Sequence, residues 1–514
     1  MVHIVDETMR IFKGIVILFW LGGAAFAQPG WGPDARLCYL PGGSYEPHVV
    51  ASGDTVHVVW RQTGSSDTAS TYTSEVWYKR STDEGETWSS DTLLSREDSA
   101  SSYDPDIAAN GPYVYVVWID TKGRPNYNYQ VSFRRSTDGG MSWSSIDSLM
   151  TGPMVRMPRV AACGDSVYVA ATLNDYSSPA GFRKSTDHGA TWQPLVDLEN
   201  GNYPSLAVRG SLVYVSWENY RQGVITIYAQ RSMDGGRTFE PGRVISDTTP
   251  PILGSQKSVV CADYLGNPHV IWPDYKYSPY PWTGDIFYRT SVDSAGSWLP
   301  FDTLCVEHRA TWSDIVDQGD TLHVAWQDDR VAPDPRKNFE IFYRMSTDLG
   351  LTWETEWRLT YARGNSEWPA MSLGRRYLHL VWRDGRDDTL DIPRFYYKRK
   401  SLEPSGVKEG QRGKATLGEP SLFLRVFPNP SKADVALVVK GAEEGKVLLE
   451  IYDAIGRAVC TISGSVKKGS SFFWRWDGKD EEGKEVAEGV YILRVVSGRN
   501  QALAKIVKVH GKER

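Results

Sequence analysis

The sequence predicts an all-β chain that folds as a seven-bladed β-propeller followed by an immunoglobulin-like (Ig-like) β-sandwich. Three observations lead to this prediction: a turn motif that occurs six times, strand-like segments that accompany it, and a change of composition near residue 402. A chain of 514 residues is long enough for more than one domain. Its 47 Gly, 20 Trp and 27 Tyr residues suit many short strands joined by tight turns.

The turn motif has the pattern Ser-x-Asp-x-Gly-x-Thr-Trp. Its Asp can accept backbone N–H bonds across the turn, its Gly supplies a position of positive φ, and its aromatic residue packs back onto the sheet. Six copies at intervals of roughly 45 to 60 residues indicate a repeat array of the propeller kind. We therefore predict a structural role for the six motif carboxylates: Asp83, Asp138, Asp187, Asp234, Asp293 and Asp348. In the fifth copy, Ser291 to Trp298, the Gly is displaced by one position.

Strand-like segments precede each turn motif and complete a four-stranded unit. Val76 to Arg80 alternates apolar and polar residues, as a half-buried strand does. Val56 to Trp60 forms a second strand ahead of it. The counterparts of this second strand end at Trp118, Ala171, Trp217, Trp272, Trp326 and Trp382. The strands therefore indicate seven units, one more than the turn motifs.

The last unit stops where its outermost strand should begin, and the N-terminal region contains an unassigned strand. Trp31 to Leu37 matches the spacing of Trp88 to Leu94, which follows the first turn motif. We predict that this N-terminal strand completes the seventh blade and closes the ring, because closure removes two unpaired sheet edges. A six-bladed ring with one aberrant unit is the alternative.

The first 27 residues have the features of an export signal. An apolar run, Ile15 to Leu21, is followed by the small-residue pattern Ala25-Phe26-Ala27. We predict a signal peptide at residues 1–27 and a propeller at residues 28–402; a single-span anchor is the alternative for the leader. No later segment is long and apolar enough to span a bilayer. The net charge of −6 gives no basic footprint, so no nucleic-acid partner is expected.

Composition changes after residue 402. Residues 403–420 are rich in Gly, Lys, Glu and Pro and are predicted to be a linker. Residues 421–510 are predicted to form a small β-sandwich, because short strand-like segments alternate there with turn residues. The six segments are Leu422 to Phe427, Val435 to Val439, Val447 to Tyr452, Phe472 to Trp476, Val490 to Val496 and Ala504 to Val509.

These motifs resemble those of known families. The turn motif resembles the Asp-box of sialidase-type propellers, although sialidases have six blades. In the C-terminal domain, Val426 to Pro430, Ile451 to Arg457 and Gly489 to Val495 look like the sorting domain of type IX secretion cargo, and Trp476 to Gly483 looks like the Ig-like domain of flagellar hook-capping proteins. The second resemblance implies a bacterial protein, secreted or at the cell surface, whose C-terminal domain engages the secretion machinery. An Ig-like module without a sorting role is the alternative.

Acidic and arginine residues recur in the loops opposite the Asp-boxes, where a rigid scaffold usually carries function. Arginine offers bidentate donors to an anionic sugar. The candidate ligand-binding residues are Arg61, Arg330, Arg383, Arg386 and Trp368. Their recurrence in many blades favours instead local ion pairs that fix the loops. Near the axis, Tyr45, Tyr103, Tyr203, Trp312 and Trp368 form either a stacking platform or packing around the mouth, beside Glu46, Asp104 and Glu367.

The resemblance to sialidases also implies a catalytic set: three arginines, a Tyr nucleophile paired with a Glu, and an Asp acid/base. Asp120, Glu218 and Tyr220 are the weak candidates for the last three roles. The aromatic-Arg-Ile-Pro motif that the family carries early in the chain is missing. We therefore predict an exported, non-catalytic binding protein for an extracellular glycan or protein ligand, with no cofactor and no metal. A sialidase-type glycoside hydrolase is the alternative.

Overall fold

The computed structural model of the protein describes most of the propeller and most of the C-terminal domain. The described residues are 30–64, 73–96, 100–121, 129–174, 179–221, 224–248, 254–278, 283–331, 338–350, 352–386, 392–402, 423–427, 435–440, 445–466, 472–498 and 500–508. The predicted signal peptide and the predicted linker lie outside these residues. Within them, no helix is long and apolar enough to cross a bilayer.

The propeller strands follow one another in chain order. The N-terminal strand is β1 (Ala35–Arg36). Blades one to three are β2 (Ser44–Ser52), β3 (Thr55–Thr63), β4 (Ser74–Ser81), β5 (Thr92–Leu93), β6 (Ser102–Asn110), β7 (Tyr113–Asp120), β8 (Tyr129–Ser136), β9 (Asp147–Gly152), β10 (Arg156–Cys163), β11 (Ser166–Thr172), β12 (Pro179–Ser185) and β13 (Val196–Asn200). Blades four to seven are β14 (Asn202–Arg209), β15 (Leu212–Arg221), β16 (Val224–Ser232), β17 (Arg243–Val244), β18 (Val259–Ala262), β19 (Pro268–Asp274), β20 (Gly284–Thr290), β21 (Asp302–Gln318), β22 (Thr321–Asp328), β23 (Glu340–Ser346), β24 (Trp357–Arg358), β25 (Ser366–Leu373), β26 (Tyr377–Asp384) and β27 (Arg394–Ser401).

The sheets confirm the predicted seven-bladed architecture. Among the described strands, blades one to four and seven are separate four-stranded antiparallel sheets, and blades five and six share one seven-stranded sheet. Strand β21 joins these two blades: its first part pairs with β20 around Cys305, and its second part pairs with β22 from Ala310 onward. The stretch between the two parts contains no Gly or Pro that would end a strand. Its backbone turns at His308, which has φ 57°.

The N-terminal strand closes the ring as predicted. The seventh sheet has the order β1-β27-β26-β25, so its outermost strand comes from the start of the chain. Ala35 pairs with Tyr397, and Trp31 forms a further bridge with Lys400. The Trp31 ring also packs edge-on against Tyr343 of the sixth blade, at 5.3 Å between centroids. Trp31 therefore takes the place of the Asp-box Trp that the seventh blade lacks.

Tryptophans of the second strands form the core between blades. The buried residues at this position are Trp60, Trp118, Trp217, Trp272, Trp326 and Trp382. Each of these rings packs against residues of the preceding blade. Trp60, for example, packs on Phe395 of blade seven at 4.7 Å between centroids. Burial of one large aromatic side chain contributes roughly 3 kcal/mol. The repeated Trp of the second strand is therefore a main contact between neighbouring blades.

Each Asp-box fastens its own turn and the neighbouring blade. In the second box, the Asp138 carboxylate accepts hydrogen bonds from the Ser136 hydroxyl at 2.7 Å and from the Ser142 backbone N–H at 2.9 Å. Gly140 has φ 81°, and a Cβ there would lie 1.8 Å from the Tyr78 hydroxyl of the preceding blade. Trp143 packs edge-on against the same tyrosine at 4.9 Å. Glycine is therefore favoured by the turn, and at position 140 it is required by the contact between blades.

The degenerate fifth box keeps the same geometry. Ala295 occupies the usual glycine position with φ 66°, and its N–H donates to the Ser291 hydroxyl at 2.8 Å. Asp293 still accepts from the Ser297 N–H at 2.8 Å. Gly296 is thus not needed at the left-handed position of the turn, and Ala295 adopts that backbone at a cost of about 1 to 2 kcal/mol.

We predict that Asp138→Ala destabilises the propeller by about 1 to 2 kcal/mol, because turn amides lose their acceptor. Hydrogen bonds, first among them the one from the Ser142 hydroxyl, lower the pKa of Asp138 to about 2. A lowered carboxyl pKa stabilises the fold above the unfolded value of about 3.9, and this contribution is lost as the pH falls towards 2. Urea unfolding at several pH values measures the difference. The neighbouring exposed substitution Thr137→Ala serves as control, and an Asp138→Ala variant as stable as this control at pH 7 would refute the prediction.

The C-terminal domain is a β-sandwich. Its strands are β28 (Phe423–Phe427), β29 (Val435–Lys440), β30 (Gly445–Tyr452), β31 (Ala458–Val466), β32 (Phe472–Trp476), β33 (Gly489–Ser497) and β34 (Asn500–Lys508). The sheets β28-β29-β32 and β31-β30-β33-β34 enclose a core that includes Leu437, Leu449 and Trp476. Sequence reasoning missed β31, because its small and polar residues and an internal Gly give a weak strand signal.

Candidate functional site

An axial cavity of about 470 Å³ lies where the innermost strands of all seven blades meet. This volume falls in the range of roughly 300 to 1,000 Å³ that is usual for small-ligand sites. The first Asp-box contacts the turn between β2 and β3, where the Glu84 N–H donates to the Asp54 carbonyl at 2.9 Å. Asp-boxes therefore share a face with the ends of the first strands. The cavity is lined by residues at the starts of these strands, so its mouth lies on the opposite face.

A ring of left-handed residues surrounds this mouth. At its innermost strand, every blade contributes one non-glycine residue with φ between 41° and 55°. We call these residues the mouth ring: Glu46, Asp104, Met157, Tyr203, Lys257, Trp312 and Trp368. A left-handed backbone costs a non-glycine residue about 1 to 2 kcal/mol, and such strain concentrates at functional sites. Here it accompanies an irregular strand register, which turns the side chains toward the cavity, as at Glu367 and Ala370 of β25.

The backbone of the mouth ring repeats, but its side chains do not. Elsewhere the blades repeat both, as in the Asp-boxes and the second-strand tryptophans. In the mouth ring, two neighbouring blades supply acids, Glu46 and Asp104, and two others supply Trp312 and Trp368. The mouth is therefore asymmetric, with an acidic sector and an aromatic sector. An asymmetric surface on a symmetric scaffold can hold a ligand in one orientation.

The aromatic sector combines rings with arginines. The Trp368 ring lies 5.9 Å from Trp312 and 6.2 Å from Tyr45. The Arg383 guanidinium stacks 5.1 Å from the centroids of both Tyr45 and Trp368, and Arg61 stacks 4.8 Å from Tyr45. The structure thus brings together three of the predicted ligand-binding residues: Arg61, Arg383 and Trp368.

Both arginines of this sector have carboxylate partners. Arg383 forms an ion pair with Glu367, and Arg61 lies 3.4 Å from Glu46. About a fifth to a quarter of each arginine side chain remains accessible, at 20% and 25%. Stacked and partly paired guanidinium groups keep donors that can meet a ligand in the mouth.

The acidic sector links neighbouring blades. Glu46 accepts the backbone N–H of Asp104 at 2.9 Å, and Asp106 accepts that of Val160 at 2.8 Å. Across the ring, Asp314 accepts the N–H of Met371 at 2.6 Å. Burial raises the pKa of Asp314 to about 6. Burial and the charge of Asp104 also raise the pKa of Glu46. These carboxylates therefore hold the inner strands together while remaining close to the cavity.

Arg330 and Arg386 are bound within their own loops. Arg386 donates to Asp384 at 2.7 Å and to Asp34 of the closing strand at 2.6 Å. Arg330 donates to Asp328 at 2.6 Å and forms a second ion pair with Glu356. Asp384 and Asp328 are fully buried. These contacts support the interpretation that the recurring arginines form local ion pairs that fix the loops. Neither of the two arginines lines the cavity.

The weak catalytic candidates are distributed over two blades. Asp120 ends β7 of the second blade and is buried, whereas Glu218 and Tyr220 belong to β15 of the fourth. Glu218 is buried and accepts the backbone N–H of Lys257 at 2.5 Å. Tyr220 is 51% exposed. None of the three lines the axial cavity.

Sequence reasoning missed two cations in the cavity, Lys257 and Arg159. Lys257 belongs to the mouth ring, and its Nζ lies 3.3 Å from the centroid of Trp312. Arg159 lies two residues beyond the mouth-ring residue Met157. An alignment of the seven units on their mouth position would have found both, but the fifth blade lacks the Pro that follows the ring residue in five other blades. Among the described residues, no group of three or more His, Cys, Asp or Glu is arranged to hold a metal ion.

Comparison with known proteins identifies one domain. Residues 431–501 match the family model of the FlgD Ig-like domain. The C-terminal domain is therefore similar to the FlgD Ig-like domain. This match confirms the resemblance to the hook-capping domain that Trp476 to Gly483 suggested. No curated protein matches the chain.

Three solved structures that resemble the chain do so at low identity. A protein of unknown function from Dyadobacter fermentans is 12% identical, with a TM-score of 0.47, over 73% of this chain and all of that one. The phage phi92 endosialidase is 11% identical, with a TM-score of 0.44, over 94% and 88% of the two chains. Trypanosoma rangeli sialidase in complex with sialic acid is 10% identical, with a TM-score of 0.41, over 93% and 89%. At these values the propeller assignment depends on the chain's own sheets.

Proposed function

We propose that the propeller is a non-catalytic carbohydrate-binding module of an exported protein, and that its ligand docks in the mouth ring. The observation that carries this proposal is the asymmetric mouth: a repeated, strained backbone presents Trp312 and Trp368 beside Arg383 and opens into a cavity of about 470 Å³. Flat aromatic rings stack on sugars, and flanking arginines donate to hydroxyl or carboxylate oxygens.

Binding without turnover is favoured over the alternative, a sialidase-type hydrolase. Hydrolysis needs a nucleophile and an acid within a few ångström of one bond. Asp120 lies two blades from Glu218, and Arg330 is held by Asp328 and Glu356 rather than at the cavity. Of the four candidate arginines, Arg61 and Arg383 are the two that stack on aromatic rings at the mouth. Two stacked arginines support recognition of a ligand without supplying the reacting groups.

The C-terminal domain is proposed to serve export or attachment at a bacterial surface. Its similarity to the FlgD Ig-like domain supports a role in an extracytoplasmic assembly. The segments that look like a type IX sorting domain agree with this role, and the predicted leader of residues 1–27 agrees with export. Ligand recognition would then belong to the propeller, and placement at the cell surface to the C-terminal domain.

The test replaces the central aromatic of the mouth. We predict that Trp368→Ala weakens glycan binding about tenfold or more, because the stacking surface is lost. The purified full chain is screened on a glycan array, the strongest glycan is titrated calorimetrically, and fluorogenic sialosides are tested for hydrolysis. Tyr361→Ala, which removes a 63% exposed aromatic outside the cavity lining, is the control.

Equal binding by wild type and Trp368→Ala, or no glycan binding by wild type, would contradict the proposal. Sialoside hydrolysis that is lost in Tyr220→Phe or Asp120→Asn would establish the hydrolase instead. A wild type that binds glycan and leaves sialosides intact is the expected result.

A further inference from the structure

The cavity contains two cations that interact with carboxylates only at longer range: Arg159 with Asp104 and Asp106, and Lys257 with Glu218. Lys257 and Arg159 both line it, and neither forms an ion pair within 4 Å in the part of the chain that the structure describes. The nearest interaction of the Lys257 ammonium is with the Trp312 ring, 3.3 Å from its centroid. Arg159 donates to the Pro158 carbonyl at 2.9 Å. Burial lowers the pKa of Lys257 to about 8, as expected for a desolvated ammonium.

The acids of the cavity are already satisfied by hydrogen bonds. Each carboxylate that lines it accepts a backbone N–H from the next blade. The pairs are Glu46 with Asp104, Asp104 with Met157, Asp106 with Val160, and Asp314 with Met371. Glu46 also lies near Arg61, and Asp106 lies 3.2 Å from His48. The acids thus have partners within the fold, whereas the two cations keep donors for a ligand.

The positions of the cations indicate where a ligand's negative charge would lie. Trp312 and Trp368 lie at the mouth, whereas Arg159 lies two residues further along its strand than the mouth-ring residue Met157. A sugar that stacks on the tryptophans would therefore direct one substituent inward and its glycosidic linkage outward. In a hexuronic acid the carboxylate carbon, C-6, is attached to C-5, on the other side of the ring oxygen from the anomeric carbon. In a sialoside the carboxylate is on the anomeric carbon itself, beside the linkage.

We infer that the axial cavity binds a terminal hexuronic acid, with its ring on Trp368 and Trp312 and its carboxylate held by Lys257 and Arg159. This inference rests on the proposed function and names its ligand class. A carboxylate there gains charge-assisted hydrogen bonds from two cations that form no direct salt bridge with the described residues. The linkage to the rest of the glycan leaves through the mouth, past Tyr45 and Arg383.

The test compares matched ligands on the full chain. A disaccharide that ends in glucuronic acid and the same disaccharide ending in glucose are titrated calorimetrically against wild type. We expect the acidic ligand to bind about tenfold more tightly. Lys257→Met should reduce this preference to less than about threefold. Lys257→Arg, which keeps the charge, should retain the preference.

Further variants and ligands separate this inference from other readings of the site. Arg159→Gln should also reduce the preference, whereas replacement of the exposed Lys446 of β30 by Met should not. Sialyllactose should gain nothing over lactose. Equal binding of the acidic and neutral disaccharides by wild type, or an undiminished preference in Lys257→Met, would overturn the inference and leave carbohydrate binding intact. Failure of every glycan to bind would overturn the proposed function as well.

Discussion

Deletion of residues 31–40 is expected to prevent the propeller from folding as a closed ring. These residues supply the outermost strand of blade seven, so their loss leaves β27 as an unpaired edge. It also removes Leu37 and Cys38, which are 4% and 0% exposed, from the core between blades one and seven. The Asp34 carboxylate, which contacts Arg386 at 2.6 Å and Lys398 at 2.7 Å, is lost with them. Circular dichroism melts and light scattering of the full chain measure the effect.

Two point variants in the same segment should have smaller effects on stability than the deletion. Trp31→Ala removes the packing of one ring on Tyr343 and the core around it, and it should lower the melting temperature while leaving a folded protein. Tyr39→Ser changes a side chain that is 72% exposed and should have little effect. A deletion variant that remains monomeric and melts with wild type would show that the ring is held closed by other contacts.

The scaffold could be predicted from sequence because each of its elements has a local signature. An Asp-box needs Ser, Asp, Gly and an aromatic at fixed offsets, and the box around Asp138 has the predicted bonds. The strand that closes the ring was predicted because Trp31 to Leu37 matches the spacing of Trp88 to Leu94. Two features escaped prediction: the fusion of blades five and six through β21, and β31 of the C-terminal domain. Neither has a distinctive turn or apolar pattern in the sequence.

The site was harder to predict because its residues are defined by a backbone conformation. The left-handed mouth ring contains acids, aromatics, a Met and a Lys, so no residue type marks it. The loops after the second strands nevertheless follow a simple alternation. The residue directly after the buried Trp, such as Arg383, faces the mouth, and the next one, such as Asp384, bonds the Trp indole at 2.7 Å. Successive strand residues point to opposite sides, so this division was open to sequence reasoning.

That alternation leads to the second large effect, which concerns Asp384. Its fully buried carboxylate accepts from the Trp382 indole at 2.7 Å, from the Arg386 guanidinium at 2.7 Å and from the Ser366 hydroxyl at 3.1 Å. Asp384→Ala leaves these donors without their acceptor, and breaking a buried ion pair in this way costs about 3 to 5 kcal/mol. We expect a large fall in the free energy of unfolding, measured by urea denaturation.

Arg383→Ala is the matched comparison for Asp384→Ala, and the opposite effects on stability and binding are expected. Its guanidinium lies over Tyr45 and Trp368 and pairs with the partly exposed Glu367, so its loss should change stability little and weaken glycan binding. Neighbouring residues would then separate fold from recognition: Asp384→Ala unfolds more easily, and Arg383→Ala stays folded but binds poorly. If Asp384→Ala is as stable as wild type, or if Arg383→Ala binds glycan normally, the division of these loops into structural and ligand-facing positions is wrong. The alternation matters beyond this pair, because it assigns Arg61 to the mouth and Gln62, which accepts the Trp60 indole at 3.2 Å, to the scaffold.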